Sequence, residues 1–203
     1  MSPWVVIVVH GIWDSAARME PLCRGLEARG VTGVDALDLR PNSGAAPIAA
    51  LAAQVAERVR HHRRMTPKVR FQCVGFSMGA LVTRYYLHRL REDAEIGCFV
   101  SISGPHHGTL TAYGLPLAGV REMRPGSALL RALEAEPSPF DTIALHTLWT
   151  PYDLMIVPGR SGQLVGAASD RRFEVKMHRF MVRDPAVLDH VAGLLHKNRE
   201  GHR

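Results

Sequence analysis

The chain has 203 residues, 46% of them apolar, and a formal net charge of +6 from 25 Lys/Arg against 19 Asp/Glu. That length suits a single domain over residues 1–203, and the apolar content argues against disorder. No stretch reaches the ~18 consecutive apolar residues of a membrane span. The positive charge is nearly all arginine; with no interleaved aromatics and no nucleic-acid motif it reads as a solvated surface, and a nucleic-acid partner is discounted. What attraction it exerts is toward acidic substrates or a transient contact with an anionic membrane surface. Three scattered cysteines, Cys23, Cys73 and Cys98, make neither a disulfide framework nor a zinc site.

Trp4–Val9 is continuously apolar, the pattern of a parallel strand covered on both faces. It lacks the basic leader and small-residue cleavage site of a signal peptide, so a cytoplasmic location is expected. A helix is predicted over 17–29, capped by Asp14 or Ser15, followed by a strand over 34–39. After the turn Pro41-Asn42-Ser43-Gly44, apolar Ile48, Leu51, Ala52, Val55 and Val59 mark one face of a helix over 47–64. The arginines from Arg58 to Arg64 close that helix, where cations are favoured by the dipole.

A strand over 68–74 runs into Gly75-Phe76-Ser77-Met78-Gly79 and a helix behind it. Further strands are expected over 96–101, 142–149 and 173–177. The last helix opens with Asp184 as N-cap and Pro185 in its first turn, burying Val187, Val191, Leu194 and Leu195. Strand–helix alternation of this kind predicts an α/β fold, an about six-stranded, mostly parallel sheet with helices on both faces. Residues 104–140 interrupt the rhythm as a short cap-like insertion overhanging the strand ends where ligands bind.

The chemistry starts at Ser77. A serine on a sharp strand-to-helix turn is held out at the sheet edge, and the following N–H lies at a helix N-terminus. Gly75 and Gly79 let strand and helix approach closely. Such a nucleophile needs a base and an orienting acid from loops at the same edge. Asp153 follows the fifth strand and is the candidate acid; Asp141 lies at the opposite edge, and Asp170, Asp184 and Asp189 sit near or beyond the last strand. His178 follows the predicted sixth strand and is the candidate base, with His146, His190 and His196 assigned to strand and helix interiors. The order serine, aspartate, histidine is that of the α/β-hydrolases.

Backbone N–H groups of Ile12 and Met78 are the expected oxyanion donors, with Gly11 permitting close approach and His10 bracing the loop. His106 and His107 are adjacent and have no carboxylate or cysteine at ligand spacing, so they read as a loop lining the active-site edge; no metal is expected. Leu110, Tyr113, Leu115 and Leu117 fit an acyl pocket and an ordinary core equally well.

Taken with Val9-His10-Gly11-Ile12-Trp13-Asp14-Ser15, Gly104-Pro105-His106-His107-Gly108-Thr109, Arg124-Pro125-Gly126-Ser127 with Leu130, and Asp153 with Val157-Pro158, the chain resembles small bacterial lipases and esterases of the α/β-hydrolase superfamily. The resemblance implies hydrolysis of carboxylic esters, of acyl lipids or similar apolar small molecules, through an acyl-enzyme and without a cofactor. Met177 stands where relatives commonly have glycine before the histidine. An acyltransferase would use the same residues, and a binding protein on the same fold would have lost their activity.

Overall fold

The computed structural model of the protein describes residues 3–201. Six strands, β1 (Trp4–Val9), β2 (Val34–Leu37), β3 (Arg70–Phe76), β4 (Ile96–Ile102), β5 (Ala144–Trp149) and β6 (Ser169–Arg172), form one sheet in the order β2-β1-β3-β4-β5-β6. Every pairing is parallel, in agreement with the expected class. Parallel neighbours need crossovers, and helices make most of them: α1 (Glu20–Glu27), α2 (Ile48–Met65) and α3 (Met78–Arg89), with α6 (Pro185–Glu200) following the last strand.

The alternation of side chains along β1 divides the core in two. Ile7 and Val9 face α2 and α3, while Val6 and Val8 face α1 and α6, all four fully buried. The predicted 104–140 segment contains α4 (Ala118–Glu122), α5 (Ala128–Ala135) and short 3-10 turns. Side-chain bonds from α3 and to α2 are among those that fasten it to the body. The Glu122 carboxylate accepts the Ile48 N–H at 2.6 Å, capping α2 from outside its own sequence. From α3, the buried Arg84 donates to the carbonyls of His106 (3.1 Å) and Leu133 (3.3 Å). Burial draws that guanidinium down to about 10, and among the described residues no carboxylate forms an ion pair with it.

Two elements depart from the sequence reading. The helix expected over 17–29 is a 3-10 turn, Ala17–Met19, followed by α1, and neither Asp14 nor Ser15 is the N-cap. Pro21 needs the first turn of a helix, so the α-helix starts only at Glu20. The sixth strand is 169–172, not 173–177. It pairs with β5 through its backbone, with polar contacts such as Thr147 Oγ1 to Asp170 (2.5 Å) beside the ladder, while Phe173 and Val175 bury their side chains beyond it. Alternating apolar residues there mark burial without strand pairing. The final helix is as read, with Asp184 Oδ1 accepting from Ala186 and Val187.

The arginine-rich end of α2 is matched locally. Arg58 pairs with Asp35, Arg60 and Arg64 with Glu57, and Arg63 with Asp93.

His88 on α3 sets an acid limit. Both of its ring nitrogens are buried without hydrogen bonds, and Phe140 meets the ring edge-on at 5.7 Å. Burial, with the Arg84 charge, pushes its pKa down to about 4. The unfolded chain therefore takes up this proton near pH 6.5 while the folded one resists it, so stability is lost as pH falls from there toward 4. We expect His88→Leu to flatten the decline of the urea midpoint between pH 7 and pH 5 and to leave the protein as stable at pH 7 or more so. An unchanged pH slope would show that His88 contributes nothing to it.

Candidate active site

All strands point the same way, so the connections after β1, β3 and β5 emerge at one edge, and the segment beyond β6 returns to it. Ser77 sits between β3 and α3 with φ 55° and ψ −128°, a conformation that costs a non-glycine residue about 1–3 kcal/mol. Its N–H donates to the Ile102 carbonyl at 2.9 Å, which anchors the turn to β4. The two glycines have a steric role: a Cβ on Gly75 would lie 2.6 Å from Ala80 Cα, and one on Gly79 2.3 Å from the Val9 carbonyl oxygen.

Asp153 follows β5 and is buried. Its Oδ1 accepts the N–H groups of Met155 (2.9 Å) and Ile156 (2.8 Å), and its Oδ2 meets His178 Nδ1 at 2.7 Å. With Nδ1–H committed to the carboxylate, Nε2 is the basic nitrogen of the neutral ring. The His178 ring packs against Phe76, the residue before Ser77, with centroids 4.7 Å apart. Among the described residues no hydrogen bond joins Nε2 to Ser77 Oγ; unliganded catalytic contacts of this type are commonly long and tighten with substrate. His178 does not follow a strand directly, as expected, but opens a 3-10 turn, His178–Val182, five residues beyond β6.

The loop after β1 lies against the serine: a Cβ on Gly11 would fall 2.9 Å from Ser77 Cβ. His10, fully buried, donates from Nδ1 to the Gly11 carbonyl (2.8 Å) and accepts the Leu39 N–H at Nε2 (2.9 Å). It ties this loop to the chain after β2. Trp13 N–H is taken by the Asn42 carbonyl at 2.7 Å, whereas the N–H groups of Ile12 and Met78 have no partner among the described residues. Beside them is a cavity of ≈ 60 Å³ lined by Ile12, Ser77, Thr109, Val120, Met123 and Met155, among others.

The other histidines take structural places. The loop that carries His106 follows β4 at this edge and puts Thr109 on the cavity beside Ser77, while the His106 ring itself turns into the core: its Nε2 meets Ser101 Oγ at 2.7 Å, and burial lowers its pKa well below the usual value. Arg84 holds its carbonyl. His107 faces Glu134, His146 meets Ser169 Oγ, His190 packs on Phe173, and His196 bonds the Arg29 carbonyl. Asp170 holds Thr147, Trp149 and Gln163, and Asp189 pairs with Arg29.

A family model for palmitoyl protein thioesterase matches residues 5–152, more than half of the chain. The chain belongs to that family. No curated protein matches it in sequence. Among solved structures it is similar to the mature lipase BlEst2 of Bacillus licheniformis, with a TM-score of 0.75 at 16% identity, covering 96% of this chain and 91% of that one. It is similar to Aspergillus fumigatus lipase B (0.73, 14%, 95% and 57%) and to the ydeN gene product of B. subtilis (0.69, 15%, 96% and 99%). Thioesterase family membership and the α/β-hydrolase fold together make the protein a hydrolase of the ester-cleaving kind.

Two groups in this thioesterase-family chain were not singled out from sequence. Thr150 donates to the Val175 carbonyl (2.6 Å), tying the Asp153 loop to the segment that leads to His178. Thr109 accepts the Val157 N–H (2.8 Å) and donates to the Met155 carbonyl (2.9 Å), fastening the insertion to the same loop. A hydroxyl at a strand end signals such tethers only when its distant partner is known. Of the apolar insertion residues, Leu115 lines the cavity beside Ser77, Leu117 packs on the core, and Tyr113 is exposed under Arg124.

The glycine contacts give a direct test. Gly79→Ala would drive a methyl group into two backbone carbonyls, those of Val9 and His10, which cannot move aside. We expect a loss of more than about 3 kcal/mol in urea denaturation. Gly193→Ala, with nothing within 4 Å of the added carbon, is the control and should be neutral or stabilising by up to about 1 kcal/mol.

Proposed function

We propose that the protein hydrolyses carboxylic esters through an acyl-enzyme on Ser77, with His178 as base, Asp153 as its orienting acid, and the N–H groups of Ile12 and Met78 as oxyanion donors. The observation that carries this reading is the 2.7 Å bond between Asp153 Oδ2 and His178 Nδ1, made across 25 residues of chain, on a ring that rests against the neighbour of Ser77. The N–H groups of Ile12 and Met78, without partners among the described residues and beside the Ser77 cavity, support it as donors available to a ligand.

In the first step His178 Nε2 takes the hydroxyl proton as Ser77 Oγ attacks the ester carbonyl carbon. The carbonyl oxygen becomes the oxyanion facing Ile12 and Met78 N–H, donors that together contribute several kcal/mol. The tetrahedral adduct expels the alcohol, which leaves with the proton now on Nε2. Water enters, gives its proton to Nε2 while its oxygen attacks the acyl-enzyme, and the acid departs as Ser77 recovers the proton. Asp153 stays ionised throughout and stabilises the imidazolium. Every group comes from the chain, and the cycle needs no cofactor.

The family match favours a second substrate class, acyl thioesters, which the same cycle would cleave with a thiol leaving in place of the alcohol. Exposed apolar side chains flank the proposed acid and base in the chain, Tyr152 and Leu154 beside Asp153, Met177 and Phe180 near His178, and they support transient contact with an apolar or membrane surface. A reducing, cytoplasmic setting suits the three unpaired cysteines.

An alkyl fluorophosphonate should label the peptide containing Ser77, and Ser77→Ala should abolish labelling and turnover. Labelling that persists in that variant removes Ser77 as the nucleophile. His178→Ala should lower kcat/KM by about 10³-fold or more, while His190→Ala leaves it within about twofold. Equal losses would overturn the choice of base.

A further inference from the structure

We infer that the acyl site of this protein is a short pocket fitted to acyl groups of about two to four carbons, walled by Val120 and Met123 of the insertion. This rests on the Ser77 reading above and narrows it to a substrate class.

The cavity that contains Ser77 has a volume of ≈ 60 Å³. A water-sized group needs about 10–15 Å³ on this scale, so roughly four such groups fill it. Sites that enclose larger ligands have about 300–1,000 Å³. A sixteen-carbon chain therefore does not fit within its enclosed part and would have to run out through the mouth.

The boundary is sorted by exposure. Trp13, Leu115 and Met155 are partly exposed and stand at the mouth, whereas Ala112, Val120, Met123 and Ile156 are buried and close the inner side. The inner wall is backed by packed structure. Val120 Cγ2 and Ile12 Cδ1 lie 2.8 and 2.6 Å from where a Cβ on Gly44 would be, so both rest directly on the loop before α2. Val120 and Met123 belong to the same buried cluster as α2 and α3. Gly119, next to Val120, is pressed against the Ala46 carbonyl, where a Cβ would lie at 2.3 Å. The Met123 carbonyl accepts the Thr109 N–H at 2.8 Å, and Glu122 caps α2. Val120 and Met123 are thus each held by packed or bonded neighbours. The exposed mouth leaves the other half of the ester unrestricted, so selection falls on the acyl group and not on the alcohol or thiol.

The test is the acyl-length profile of kcat/KM for p-nitrophenyl esters from acetate to palmitate, with the full-length protein. Each methylene that finds burial should raise kcat/KM about fourfold, up to an acyl group of about four carbons. Beyond that, octanoate should be about tenfold or more below the maximum. Met123→Ala removes wall without touching the backbone bond to Thr109, and should move the maximum at least two carbons longer; Val120→Ala, a smaller deletion, should move it in the same direction. A wild-type maximum at eight carbons or more overturns the inference, as does a maximum that neither variant moves. Labelling by a methylphosphonofluoridate separates the two levels. A labelled, active enzyme that prefers palmitate defeats the short pocket alone. A protein neither labelled nor active defeats the Ser77 reading, and the acyl limit with it.

Discussion

The arrangement depends on how closely α3 passes over β1 as it leaves β3. The strand must stop, reverse and enter a helix within the few residues around Ser77, and it does so between two backbones that leave no room for a Cβ at Gly75 or Gly79. That closeness sets the serine against Gly11 and turns the first N–H of α3 toward the loop after β1. Relaxing the approach by even one carbon would separate Ser77 from the loop after β1. The strained φ of Ser77 is a consequence of the same crossing, held by the Ser77 N–H bond to Ile102. Trp13 and Ser103, which follow β1 and β4, share the left-handed region with it. Three of the four non-glycine residues with positive φ thus lie at one edge of the sheet, where function tolerates strain that the core does not.

Around this crossing the chain uses side-chain tethers to place loops that have no ladder of their own. His10 ties the first loop to the residue after β2; Thr150 ties the Asp153 loop to Val175; Thr109 ties the insertion to residues 155 and 157. Each is a buried hydroxyl or imidazole that satisfies backbone groups an irregular segment would otherwise leave unpaired. Among the described residues the N–H groups of Ile12 and Met78 are left without such a partner, the latter as the first N–H of α3. Under the proposed mechanism, donors for a charge formed only in the transition state are free in the resting state.

Much of this was legible in the sequence because it is written in local patterns. The continuous apolar run of β1, the Asp184-Pro185 start of α6 and the glycine-flanked Ser77 each carry their own physical signature within a few residues. Order along the chain then selects Asp153 and His178, since parallel strands bring the connections after them to one edge. Where local pattern and tertiary packing diverge, the reading fails. Phe173 and Val175 alternate like a strand yet bury themselves beyond the edge, while the polar Ser169–Arg172 pairs with β5 through its backbone. His106 resembles a site residue by its motif and is a core residue by its contacts, because Arg84, 22 positions earlier, reaches its carbonyl. No local pattern announces that arginine.

The same buried arginine bears on what the insertion can do. A lid that swings open for long lipid chains would be built from segments with few bonds to the body. Here α3 holds both the His106 loop and the end of α5 through one guanidinium that forms no ion pair among the described residues, so releasing either carbonyl would leave a buried charge short of acceptors. Glu122 of α4, by capping α2, fixes the other side. The insertion therefore behaves as part of the wall. In this thioesterase-family chain the insertion packs beside Ser77 as a floor, and exposed apolar side chains such as Trp13, Leu115 and Met155 form the rim of the small cavity there.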